Sequence, residues 1–154
     1  MPAVGDVVLI ATGGIFGHVI KLAQLLAGYK DWRYNHAAIV VDTSGGMIEA
    51  SPRGVRRNNM RAYSNTKIVQ LHMLPADGER AASLAVSLIG KPYGWVDIAA
   101  LAISILGYKP AWVRRACLST DTLVCSQLAA FAAQAGGVTR WGDPFWVVPA
   151  ELSE

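Results

Sequence analysis

Cysteine is scarce in this chain. Cys117 and Cys125 are the only two, and neither belongs to a CxxC pair, so neither a zinc site nor a disulfide framework is expected. Two free thiols point to a reducing compartment. Charge is sparse as well: Asp, Glu, Lys and Arg make up 16% of the residues, with a formal net charge of +3. The basic pairs Arg56-Arg57 and Arg114-Arg115 do not extend into a longer run, so nucleic acid is not the expected partner. The opening MPAVGDVVLIATGG lacks a basic stretch followed by a long apolar one, so no secretory signal is read in it. A cytoplasmic location follows as an expectation, with export by a non-classical route such as phage lysis left open. A membrane-spanning run is missing too. The longest apolar segment, Trp95 to Leu106, contains Asp97 and reaches about 12 residues against the roughly 20 a span requires, so it reads as a buried or interfacial helix. No repeat, low-complexity tract or linker interrupts the chain.

Apolar residues are what the sequence has in excess, at 53% of its 154 residues. A chain of this length can bury roughly two thirds of its unfolded surface without staples, so one domain over 1–154 is expected, with apolar surface to spare for a partner, lipid or second subunit. Val7–Ile10 reads as a short buried strand. Ile15, Val19, Leu22 and Leu26 then recur at helical spacing up to Gly28, the pattern of an apolar helix stripe. His36–Val41 and Met47–Ala50 flank the turn residues Asp42–Gly46 and read as a β-hairpin, with Val55–Arg57 continuing it and Lys67–Met73 forming a further strand. The second half is helical. Asp77 is a candidate N-cap for a helix to Gly90 whose inward face is Ala81, Leu84 or Ala85, and Leu88. A helix over Trp95–Leu106 follows, then a third starting among Ser119–Thr122 and stopping at Gly136-Gly137, with Val124, Leu128, Phe131 and Ala135 as its core stripe. Phe145–Val148 reads as a last short strand. Strands first and helices second describe an α+β fold, a small antiparallel sheet packed on helices.

Three residues stand out as chemistry. Cys125 falls in the first turn of a helix, where unpaired amides and the positive end of the helix dipole stabilise a thiolate and can hold an oxyanion. Taken alone it could equally be a small buried hydrophobe. Of the three histidines, His18 and His72 read as surface or packing residues. His36 opens an apolar strand after Trp32-Arg33-Tyr34-Asn35, which puts an imidazole at a strand end where loops and a cleft can meet it. Glu49 is an acid inside an apolar strand. If the turn pairs Asp42 with Gly45, Glu49 lies opposite Ala38 and diagonal to His36 on the same face; other registers separate them. A carboxylate beside His36 would fix its tautomer and stabilise the imidazolium, and Asn35 or Asp42 are the alternatives for that role.

Taken together, "GDVVLI", "NHAAIVV", "GMIEASPRGV", "GKPYGW" and "TLVCSQLAAFA" resemble the permuted NlpC-type papain-like proteins of the YiiX-type branch. The resemblance runs from Gly5 to about Ala133. It implies a circularly permuted papain-like fold and a cysteine hydrolase in which Cys125 is nucleophile, His36 general base and Glu49 orienting group. Tyr93, Asn35 and Ser126 would be substrate-binding residues, and neither metal nor organic cofactor is needed. Val124 and Gln127 depart from the aromatic and the acid that flank the family's Cys-Ser pair, which bears on the pocket's shape. Cys117 matches nothing and reads as structural. The implied substrate is an amide, peptide or ester: cell-wall peptide, a peptidoglycan fragment or a lipid-linked acyl group. The apolar Trp95–Leu106 segment and Trp112 lean toward the last, or toward peripheral membrane contact. The competing readings are a non-catalytic binding or structural module of the same fold and a thiol-dependent acyltransferase.

Overall fold

A computed structural model describes residues 2–72, 75–105 and 107–153. It is an α+β structure: five antiparallel strands, β1 (Val7–Ile10), β2 (His36–Val40), β3 (Gly46–Ser51), β4 (Gly54–Asn59) and β5 (Ile68–Leu71), in the order β4-β3-β2-β1-β5. The five helices are α1 (Ile15–Leu26), α2 (Pro75–Ser87), α3 (Trp95–Ile105), α4 (Ala111–Leu118) and α5 (Cys125–Ala135). Among the described residues, no helix is long and apolar enough to cross a membrane.

The sheet is apolar on both faces because both are covered. Val7, Leu9, Ala37, Ile39, Ile48 and Ala50 face α2 and α5, where a run of alanines lets helix and sheet backbones approach closely. Val8, Ile10, Ala38, Val40 and Met47 alternate to the other face, under Met60, Tyr63 and Ile68. One contact needs glycine on both sides: a Cβ on Gly5, at φ +87°, would lie 2.0 Å from the Cα of Gly78 on α2. The hairpin takes the register the Asp42–Gly45 turn favours. Gly45 N–H donates to Asp42 C=O at 3.2 Å, and Ala38 stands opposite Glu49.

Several sequence expectations are corrected. The α1 stripe faces outward: Ile15 is 83% exposed, Val19 61% and Leu26 79%, while the polar Gln24 is buried. The cause is a backbone demand. Gln24 Nε2 donates to Trp32 O (3.0 Å) and Tyr34 O (2.8 Å), and its Oε1 accepts from Ala150 N (2.9 Å), so the amide rather than the leucines anchors the helix. Asp77 lies inside the first turn of α2 rather than capping it. Of that helix's expected inward face, Ala81 and Ala85 are fully buried, while Leu84 and Leu88 are half-buried.

The residues Ser119–Thr122 do not start α5. They follow α4, a helix the sequence reading did not assign, and Asp121 turns the chain at φ 53°. Leu123 then pairs with Tyr93 in a parallel bridge, so α5 begins only at Cys125. Along α5 the buried residues are Leu128, Ala129, Ala130, Ala132 and Ala133, whereas Phe131 is half-buried and Ala135 exposed. Phe145–Val148 is no strand: Pro144 and the Asp143 side chain, accepting from Phe145 N at 3.1 Å, start a 3₁₀ turn over Pro144–Trp146. Met73 and Leu106, the expected ends of a strand and a helix, lie outside the described residues.

Candidate active site

Cys125 is the first residue of α5, and two local features fix it there. Ahead of it, Leu123 N–H donates to Pro92 O (3.1 Å) and Gly94 N–H to Leu123 O (3.0 Å), holding the incoming chain as a short strand. Behind it, the Gln127 side chain closes the helix start: Oε1 accepts from Val124 N (3.1 Å) and Nε2 donates to Phe145 O (3.2 Å). Gln127, one of the two departures from the family pattern, thus satisfies a buried backbone donor and a buried acceptor at once.

The sulfur of Cys125 lies in the cluster with Ala37 and Ile39. It accepts backbone N–H groups from Ala37 and Ser126 and is hydrogen-bonded to the His36 ring. His36 sits where β2 begins, and its Nε2 is 3.0 Å from Glu49 Oε2, which leaves Nδ1 for the sulfur. Glu49, two strands from the sheet edge formed by β5 and one from β4, has a side chain with no solvent exposure. The three residues singled out from sequence therefore come together, in the order sulfur, imidazole, carboxylate.

Three residues missed in the sequence complete the arrangement. Tyr63 Oη donates to Glu49 Oε2 at 2.6 Å, and Arg56 Nη2 (3.0 Å) and Asn58 Nδ2 (2.8 Å) donate to Oε1. With His36 they give the buried carboxylate four donors, two on each oxygen, which offsets the cost of removing it from water. Arg56 was legible in principle. A tight turn pairing Ser51 with Gly54 puts Arg56 directly across from Glu49, and an acid facing a base across a hairpin is a favourable pair. Tyr63 lies on the 3₁₀ turn Met60–Tyr63, which no strand pattern would reveal.

Electrostatics follow from this geometry. Burial alone would push the Glu49 carboxyl up, but the hydrogen bonds from His36 and Tyr63 outweigh it and hold the group at about 2. Burial would likewise pull the His36 imidazole down, yet the charge of Cys125 and its hydrogen bond, with Glu49 behind, push it up to about 10. For Cys125, burial favours the thiol, and the His36 charge and hydrogen bond reverse that, so the sulfur titrates below an ordinary cysteine. The result is a thiolate–imidazolium pair. Cys117 is the opposite case: burial, then a hydrogen bond to Asp97, push its thiol up to about 11. That fits the structural role expected of it.

The remaining expected site residues are placed as follows. Tyr93 stands beside the sulfur, and burial and the Cys125 charge push its phenol above the ordinary tyrosine range. Ser126 is buried next to Cys125. Asn35 lines the cleft, but both ends of its amide are taken by Thr12: Oδ1 accepts from Thr12 N and Nδ2 donates to Thr12 Oγ1, each at 2.8 Å. Asn35 thereby fixes the Thr12–Gly17 wall rather than the imidazole, and a Cβ on Gly17 would come within 2.5 Å of its Nδ2. Asp42 is bound to Ser44, Gly46 and Arg57, so neither alternative orienting group is engaged with His36. His18 and His72 are exposed, His72 pairing with the buried Asp6 at 2.8 Å.

Although Cys125 is itself only 5% exposed, two cavities meet at it. A wide one of about 870 Å³ is bordered by Thr12, Asn35, His36, Glu49, Arg56 and Tyr63, and a second of about 530 Å³ lies between α1 and α3. Among the described residues, no cluster of side chains could hold a metal ion. The chain matches no protein-family model, no curated protein and no solved structure.

Proposed function

We propose that this chain is a cysteine hydrolase with a permuted papain-like arrangement, acting on an amide, peptide or ester through an acyl-enzyme. The observation that carries the reading is the continuous contact of Cys125, at a helix start and open to two cavities, with an imidazole whose far nitrogen is held by a fully buried carboxylate. An inert module has no need to bury an acid with four donors simply to orient a histidine toward a sulfur.

The chemistry runs in two halves. The Cys125 thiolate attacks the substrate carbonyl carbon, forming an S–C bond and moving charge onto the oxygen, where the first amides of α5 can stabilise it. As the intermediate collapses, the bond to the leaving nitrogen or oxygen breaks, and the leaving group takes the His36 proton. His36, now neutral, removes a proton from water as it attacks the thioester. The S–C bond breaks, the carboxylic acid departs, and the proton returns to the thiolate–imidazolium pair. Glu49 keeps the ring oriented and stabilises its charged form throughout. Tyr93 and Ser126 border the place where the acyl group would sit.

Incubation with amide, ester and peptidoglycan-fragment probes, read by intact mass and peptide mapping, tests the reading. An acyl adduct on Cys125 that is absent from Cys125→Ala is expected. No adduct with any probe, or adducts on Cys117 to the same extent, would contradict it.

A further inference from the structure

The two cavities that meet at Cys125 differ in chemistry. The wider one is bordered by hydroxyl, amide, guanidinium and carboxylate groups from Thr12, Asn35, Arg56, Tyr63 and Glu49. The one between α1 and α3 is walled by Val19, Ile20 and Ala23 on one side and Leu101, Ala102 and Ile105 on the other. Gln24 also borders it, yet its amide is consumed by Trp32 O, Tyr34 O and Ala150 N, so the wall offers carbon. Beyond the sulfur, the outer faces of the same two helices stay apolar and exposed at Ile15, Val19 and Leu22 on α1 and at Val96 and Ile103 on α3.

Burial chemistry separates the possible occupants. A peptide in this slot would leave N–H and C=O groups without partners, at a cost of several kcal/mol for each group stranded in apolar surroundings. A hydrocarbon chain strands nothing and gains with every methylene removed from water. The geometry points to an alkanoyl chain in the α1–α3 slot, with the polar leaving group in the wider cavity, so that the bond cleaved joins a fatty acyl group to a polar alcohol or amine. This deepens the hydrolase reading and rests on it. In the acylation step the fatty acyl carbon forms its bond to Cys125 Sγ as the bond to the alcohol or amine breaks, and the leaving group departs with the His36 proton.

A series of p-nitrophenyl esters, from acetyl to dodecanoyl, tests this. kcat/KM is expected to rise by about 3- to 4-fold per methylene until the slot is filled, and then to level off. In Ala102→Trp and, separately, Ala23→Phe, the ratio of octanoyl to acetyl kcat/KM should fall at least about tenfold, since each methylene kept out of the slot forfeits that factor; circular dichroism checks that each variant is folded. A rate independent of acyl length, with Cys125 acylated by every ester, would overturn the slot assignment and leave the hydrolase reading standing. So would dependence on the length of the alcohol instead of the acid. Failure of every ester and amide to acylate Cys125 would overturn both.

Discussion

Cys125→Ala is expected to lower kcat by at least about 10⁴-fold on any substrate the protein hydrolyses, because the covalent route disappears with the sulfur. The substitution should leave the fold in place. Residue 125 sits at the start of α5 among alanines and backbone amides, and the small side chain loses only the sulfur's contacts with His36, Ala37 and Ser126. Steady-state kinetics beside thermal unfolding separate the two effects. A variant that kept more than about a tenth of wild-type activity would show that bond-making happens elsewhere.

Glu49→Gln should cost less in rate and more in stability. Glutamine keeps one acceptor oxygen but replaces the other with an NH₂ group, so two of the four donors now reaching Glu49 face a donor in its place. Each buried donor stranded in this way costs about 1–3 kcal/mol. The imidazolium also loses its counter-charge, so the His36 value falls from about 10 toward neutrality. Since the productive form needs the ring protonated before leaving-group departure, the alkaline limb of the pH–rate profile moves to lower pH. A kcat reduced by about 10²- to 10³-fold, with that limb displaced, is the expected result. Unchanged kcat with only a lowered Tm would give Glu49 a purely structural role.

How much of this was legible from sequence depends on how local each determinant is. β1, β2, the hairpin to β3 and the existence of α1 follow from short apolar runs broken by glycine and by Asp42–Gly46. The Ala38–Glu49 register was one of several the sequence allowed; the Asp42–Gly45 turn selects it. The direction in which α1 presents its leucines was not legible, because it is set by Gln24 meeting carbonyls at Trp32 and Tyr34 and an amide at Ala150, and no periodicity encodes such partners. The late start of α5 was hidden for a similar reason. Ser119–Thr122 looks like a capping cluster, but Thr122 Oγ1 donates to Asp97 at 2.9 Å and ties the preceding loop to α3 instead. In the site, the sulfur, imidazole and carboxylate were readable as residue types at suggestive positions, whereas Tyr63 and Asn58 act on Glu49 only through the folded hairpin and its following turn.

The central claim is a thiolate held by an imidazolium, and pH-dependent alkylation of the two cysteines measures it directly. Thiolate exists above the lowered Cys125 value, and the imidazolium persists below about 10, so the pair occupies the window between them. Iodoacetamide should therefore label Cys125 with a rate already on its plateau well below pH 8.5, the midpoint of an ordinary thiol, while Cys117, pushed up to about 11, stays unreactive across that range. Slow labelling of both cysteines, rising together above pH 8.5, would contradict the account.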